Sequence, residues 1–116
     1  MSRARPPDKR NRSMSHHLIQ ILLPLFDNGG QPFPRSDYMR VRSELTERFG
    51  GLTAFTRAPA EGLWEENGET TRDDIVVFEV MTSELDPGWW AGYRRRLEAC
   101  FRQDSIVIRA QATRLL

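Results

Sequence analysis

Several things are scarce in this chain, and each scarcity closes off a class of explanation. Cys100 is the only cysteine, so no internal disulfide is available and a reducing compartment is expected, with a cytoplasmic location as the default. The two histidines, His16 and His17, are adjacent. On a strand they point to opposite faces, and with no third His or second Cys a metal site is not expected. No apolar run approaches the roughly eighteen residues a membrane helix needs, and the polar start lacks the apolar segment of a secretory signal. Lysine is also nearly absent: Lys9 stands alone among 17 basic residues, the rest being arginine. That pattern reads as compositional bias rather than as a set of phosphate-binding forks. The paired glycines Gly29-Gly30 and Gly50-Gly51 match no phosphate-cradling fingerprint, and no cofactor is implied.

What is present fits one domain. At 116 residues and 13.5 kDa the chain supports a single ordinary core. The formal charge of +1 hides an asymmetry. Residues 1–15 carry Arg3, Arg5, Lys9, Arg10 and Arg12 against Asp8, and the remainder is mildly acidic. With Pro6-Pro7 and almost nothing apolar, this stretch is expected to be a disordered basic tail. It is either an extended start, with Met14 as a second candidate for the first residue, or an arm for a partner. Residues 16–116 form the expected domain.

The chain is organised around Ile75-Val76-Val77-Phe78-Glu79-Val80-Met81, preceded by Asp73-Asp74. An apolar, β-branched run of this length predicts a central strand buried on both faces, and Glu79 is its one interruption. Before it, His17–Phe26 predicts a strand whose pairing ends near Pro24. Asp27-Asn28-Gly29-Gly30 predicts a turn. Ser36 is expected to cap a helix with Asp37 in its first turn, and Tyr38, Val41, Leu45 and Phe49 share one face of it. Gly50-Gly51 ends that helix.

Leu52–Arg57 alternates as a second strand. Leu63–Arg72, turning at Asn67-Gly68, reads as a hairpin leading into the central strand. Asp86-Pro87 opens a second helix, with Trp90, Tyr93, Leu97 and Cys100 or Phe101 as its buried stripe. Arg94, Arg95, Arg96 and Glu98 are expected in solvent. Ile106, Ile108, Ala110 and Ala112 alternate in a last strand.

The order strand-helix-strand-strand-helix-strand predicts an α+β fold. With right-handed crossovers it becomes the ferredoxin-like βαββαβ sandwich, an antiparallel sheet in the order 4-1-3-2 with both helices on one face. Gly51-Leu52-Thr53, Gly62-Leu63-Trp64, Asn67-Gly68 and Phe101-Arg102-Gln103, followed by Ser105 and Val107, resemble a family of small, mostly bacterial proteins catalogued only as a domain of unknown function. The likeness spans about Gln20 to Ile108. It implies a ferredoxin-like fold and no activity.

Strand alternation divides the residues between two faces. Ile19, Ile21, Leu23, Val76, Phe78, Val80, Ile106, Ile108, Leu52 and Ala54 belong under the helices. Leu18, Gln20, Leu22, Val77, Glu79, Met81, Phe55, Arg57, Val107 and Arg109 belong to the open face. There Arg109, Gln20, Glu79 and Arg57 are expected in one row, with Gln20 and Arg57 as the partners a semi-buried carboxylate needs. The apolar remainder predicts a homodimer through this face.

A small-ligand site is a second reading of the row, with Phe55 and Trp64 as further candidates, and a row that simply faces water is a third; Trp64 and Trp89 line either a pocket or a dimer rim. Phe55 is the sole aromatic on the open face and Glu79 puts negative charge at its centre, which argues against RNA. Cys100 reads as a small core residue rather than a nucleophile. The expected function is a homodimeric interaction or small-ligand-binding module. The alternative is a cofactor-independent enzyme of the dimeric α/β-barrel kind, acting on a small organic substrate.

Overall fold

A computed structural model describes residues 15–57 and 75–116, with side chains over 16–54 and 75–116. The expected tail, the hairpin at Asn67-Gly68 and Trp64 lie outside the described residues. Strand β1 spans Ser15–Pro24, helix α1 Arg35–Phe49, β2 Thr53–Arg57, β3 Ile75–Thr82, helix α2 Pro87–Cys100 and β4 Val107–Arg114. The four strands form one antiparallel sheet in the order β2-β3-β1-β4. This is the expected order read from the other edge. The Ile75-to-Met81 run is therefore an interior strand, as its apolar character demanded.

One cluster holds the fold together. Val41 and Leu45 of α1 and Trp90, Tyr93 and Leu97 of α2 pack with Ile19, Ile21 and Leu23 of β1 and Phe78 and Val80 of β3. Those strand residues alternate, so both helices draw on the same face of the sheet. Phe101, fully buried just past α2, meets Phe33 edge-on at 5.0 Å and Tyr38 at 5.4 Å. Between the two indicated ends of the α2 stripe, Phe101 is the buried one and Cys100 only partly so.

The helices also meet each other along an antiparallel seam. Arg48 lies 4.2 Å from the Trp89 ring centre, and Glu44 accepts hydrogen bonds from the Tyr93 hydroxyl at 2.9 Å and from Arg96 at 2.8 Å.

Several local expectations are corrected. Ser36 does not cap α1. The helix starts two residues earlier than a Ser36 cap would give, Pro34 is the N-cap and contributes no side-chain hydrogen bond, so Ser36 already lies in the first turn. By contrast, Asp86 caps α2 by accepting from the Trp89 N–H at 3.1 Å, with Pro87 behind it. Gly50 ends α1 at φ 81°, and its N–H donates to the Thr46 carbonyl at 2.7 Å.

Glu98 is not solvated: its side chain is only 16% exposed, pairs with Arg94 at 3.0 Å and accepts the Ile106 N–H. That bond holds Ile106, which is buried but precedes β4 rather than lying in it. Ala54 was expected under the helices and is exposed, because the packed cluster stops at Phe78 and half-buried Leu52 and leaves the β2 edge uncovered.

Candidate functional site

Strand register decides which polar residues can meet. Gln20 of β1 lies opposite Glu79 of β3 on one side and Arg109 of β4 on the other. Directly opposed residues on antiparallel strands share a face, so the three project together from the face without helices. Their side chains complete the row. The Gln20 amide donates from Nε2 to Glu79 Oε2 at 2.6 Å and accepts at Oε1 from Arg109 Nε at 2.8 Å. Each end of the amide is thereby committed, which fixes its orientation. A cation and an anion on different strands are joined through one neutral side chain.

The fourth expected member does not belong to the row. β2 pairs Thr53 with Glu79, Phe55 with Val77 and Arg57 with Ile75. Arg57 thus shares the face but sits two pairs along from Glu79, about 13 Å of strand. Thr53 occupies the place assigned to it. The alternation over Leu52–Arg57 fixed which residues share a face, whereas the register depends on where β2 begins. It begins after Gly50-Gly51, so pairing reaches Glu79 only at its first residue.

That short start also makes a cleft. β2 has no residue opposite Val80, Met81 or Thr82 of β3. Into this corner comes the glycine turn from α1, and a cleft of about 290 Å³ results, walled by Leu18, Gly50, Gly51, Thr53, Glu79 and Met81 among others. Among the described residues Glu79 has no cation within ion-pair distance; Gln20 is the side chain it bonds. A second cleft, of about 350 Å³, lies at the junction of the helices and is walled by Arg48, Glu84, Asp86 and Trp89. Trp89 thus lines a cleft, one of the roles open to it from sequence.

The rest of the open face is less bare than expected. Val77 is 1% exposed, and Leu18 and Leu22 are half-buried. Among the described residues, large apolar exposure there is confined to Met81 at 41% and Val107 at 50%. His16 lies opposite Thr113 on this same face, its Nδ1 buried without a hydrogen-bond partner among the described residues. No group of three His, Cys, Asp or Glu among the described residues is placed to hold a metal ion. Likewise no described helix is long and apolar enough to cross a membrane.

No family model and no curated protein matches the chain. Among solved structures, a phage SAM lyase in complex with S-methyl-5'-thioadenosine is similar, with a TM-score of 0.54 and 14% identity over 86% of this chain and 88% of that chain. At that identity the likeness is one of fold.

Proposed function

We propose that this chain is a small-ligand-binding module of ferredoxin-like architecture, with its site at the Glu79 end of the Arg109-Gln20-Glu79 row. The observation that carries this reading is a carboxylate oriented by Gln20 at 2.6 Å that also forms a wall of the cleft beside Gly50-Gly51. A concave site that joins apolar side chains, here Leu18, Leu52 and Met81, to an oriented polar group suits small-molecule recognition, and about 290 Å³ is near the lower bound for such sites. The lyase of similar fold makes S-methyl-5'-thioadenosine the first ligand to try.

Titration calorimetry with S-methyl-5'-thioadenosine is expected to show saturable binding that Gly51→Val removes. Gly51 has no positive φ and open space where a Cβ would stand, so this change narrows the cleft without straining the backbone. No heat and no amide shifts at Gly50 and Gly51 with the wild-type protein would count against the reading.

The module acts as a homodimer through the open face, a reading supported by the exposed Met81 and Val107 on either side of the row. Sedimentation should give a dimer at micromolar concentration, and Met81→Asp with Val107→Asp should give a monomer; a wild-type monomer removes this part. The alternative, a cofactor-independent enzyme acting on a small organic substrate, is favoured by one observation, the fold shared with a lyase. Turnover of a bound ligand would separate it from simple binding.

A further inference from the structure

We infer that the outer edge of β4 is a docking strip for an extended peptide in which a large apolar residue adjoins an acidic one. Three features of that edge meet at Ile108, Arg109 and Ala110. The first is a free ladder. β4 closes the sheet on one side, and among the described residues no strand lies beyond it. Most of its eight residues are exposed. Alternate residues of an edge strand turn N–H and C=O groups outward, where a further strand can pair with them.

The second feature is a cleft of about 240 Å³ between β4 and α2. Trp90, Ala91 and Arg94 form its helical wall, Ile108 and Ala110 its strand wall, and buried Ile19 also lines it. Ala91 and Ala110 keep the cleft open, since a larger side chain at either would occupy the space. The volume falls below the usual range of small-molecule sites, about 300–1,000 Å³, and suits one large side chain.

The third feature is charge. Arg109 and Arg114 are the charged residues of β4, and among the described residues neither has a carboxylate partner. Gln20 takes the Arg109 Nε at 2.8 Å and leaves both terminal nitrogens for another acceptor. Arg94, paired with Glu98 at 3.0 Å, lines the cleft with its charge already met.

A strand laid against β4 alternates as β4 does, whichever way it runs. A side chain beside Ile108 or Ala110 enters the cleft, and one of its immediate neighbours then stands beside Arg109 on the opposite face. An apolar anchor next to a carboxylate meets both demands. A second copy of this chain does not. Neither edge strand, β2 nor β4, carries a carboxylate, so pairing two copies edge to edge would bring arginines together without relief.

The probe is the end-blocked heptapeptide Thr-Thr-Glu-Phe-Glu-Thr-Thr, whose paired acids serve either strand direction. Titrated into the full chain, it is expected to shift the Arg109, Ala110 and Gln111 amides and slow their exchange with solvent. Replacing its Phe by Ser, replacing both Glu by Lys, or N-methylating its backbone should each weaken binding by about tenfold or more. Ala91→Leu, and Ala110→Leu from the exposed strand side, should remove the advantage of Phe over Ser. Arg109→Glu should invert the preference between the Glu and Lys peptides, which a merely damaged protein cannot do.

Equal binding of the Phe and Ser peptides, binding that survives N-methylation, or a wild-type preference for Lys over Glu overturns the inference. So does the absence of any β4 shift with the Glu peptide. Concentration-dependent protection of the β4 edge amides in the free protein would make a second copy the occupant, and overturns it as well.

Discussion

The two faces of the sheet are built from alternate residues of the same strands, yet they obey different rules. Ile19, Ile21, Phe78 and Val80 face the helices and are buried in one cluster. One step along each strand, Leu18, Gln20 and Glu79 face away, and the side chains there are held by a Gln20-centred row rather than by close packing alone. The covered face depends on shape, so any lost volume matters. The row depends on pairing, so what matters is whether a polar group loses its partner. Stability should therefore be concentrated on one side and specificity on the other, and substitutions can separate the two.

The largest effect should come from the covered side. Phe101→Ala removes a fully buried ring from between Phe33 and Tyr38 and should cost about 3–5 kcal/mol in denaturant unfolding. A cost under about 1 kcal/mol would mean that this layer is not close-packed. On the row, Gln20→Leu takes the hydrogen-bond partner from half-buried Glu79, while exposed Arg109 turns to water, and should cost about 1–3 kcal/mol. Glu79→Gln keeps the shape and an acceptor and should cost less than Gln20→Leu. If the two costs are reversed, the amide is not the centre of the row.

Alkali should act through the covered side. The Tyr38 hydroxyl donates to the Pro24 carbonyl at 2.6 Å, and burial, aided by the Asp37 charge, holds its pKa up at about 12. Tyr93 is raised as well, by burial first and then by its hydrogen bond to Glu44 and that carboxylate's charge, with Arg96 opposing. Both shifts favour the neutral phenol in the folded state. The unfolded chain loses these protons near pH 10 while the folded chain retains them, so their contribution is complete below that value and is lost as pH rises from about 10 toward 12. Chemical unfolding across that window should show declining stability, with a shallower decline in Tyr38→Phe and Tyr93→Phe. Equal slopes in all three proteins would show that these phenols are not what alkali attacks.

How much of this was legible in the sequence follows from the range of the interactions concerned. The α2 stripe and the Asp86-Pro87 start are local, set by spacing and by one side chain reaching three residues on, and both could be read directly. The face carrying Gln20, Glu79 and Arg109 was legible because strand alternation has period two. Ser36 looked equally local but lost to Pro34, since the chain was already helical at Arg35. Nor could the cleft be read: it exists because β2 starts at Thr53 and leaves Val80 and Met81 without a neighbour on that side. A five-residue strand with clean alternation defines its faces but leaves its register open to shifts of two.

Register is also where the comparison can be tested most finely. Arg57 and Glu79 lie on one face, and opposite charges in neighbouring strands invite the conclusion that they pair. The ladder places Thr53, not Arg57, opposite Glu79, with Arg57 beside Ile75. Two double-mutant cycles separate the cases. Gln20→Leu with Glu79→Leu should be strongly non-additive, by about 0.5–3 kcal/mol, because each side chain is the other's hydrogen-bond partner at 2.6 Å. Arg57→Leu with Glu79→Leu should add to within about 0.5 kcal/mol, since the ladder sets the two residues four strand positions apart, beyond the separation at which substitutions ordinarily couple. A coupling above that bound between Arg57 and Glu79 would require β2 to slide by four residues along β3. Such a slide would set Arg57 opposite Glu79 and Thr53 beyond the end of β3, closing the corner where the cleft now lies. The smallest expected number in the set, a coupling near zero, therefore bears on the register and on the proposed site together.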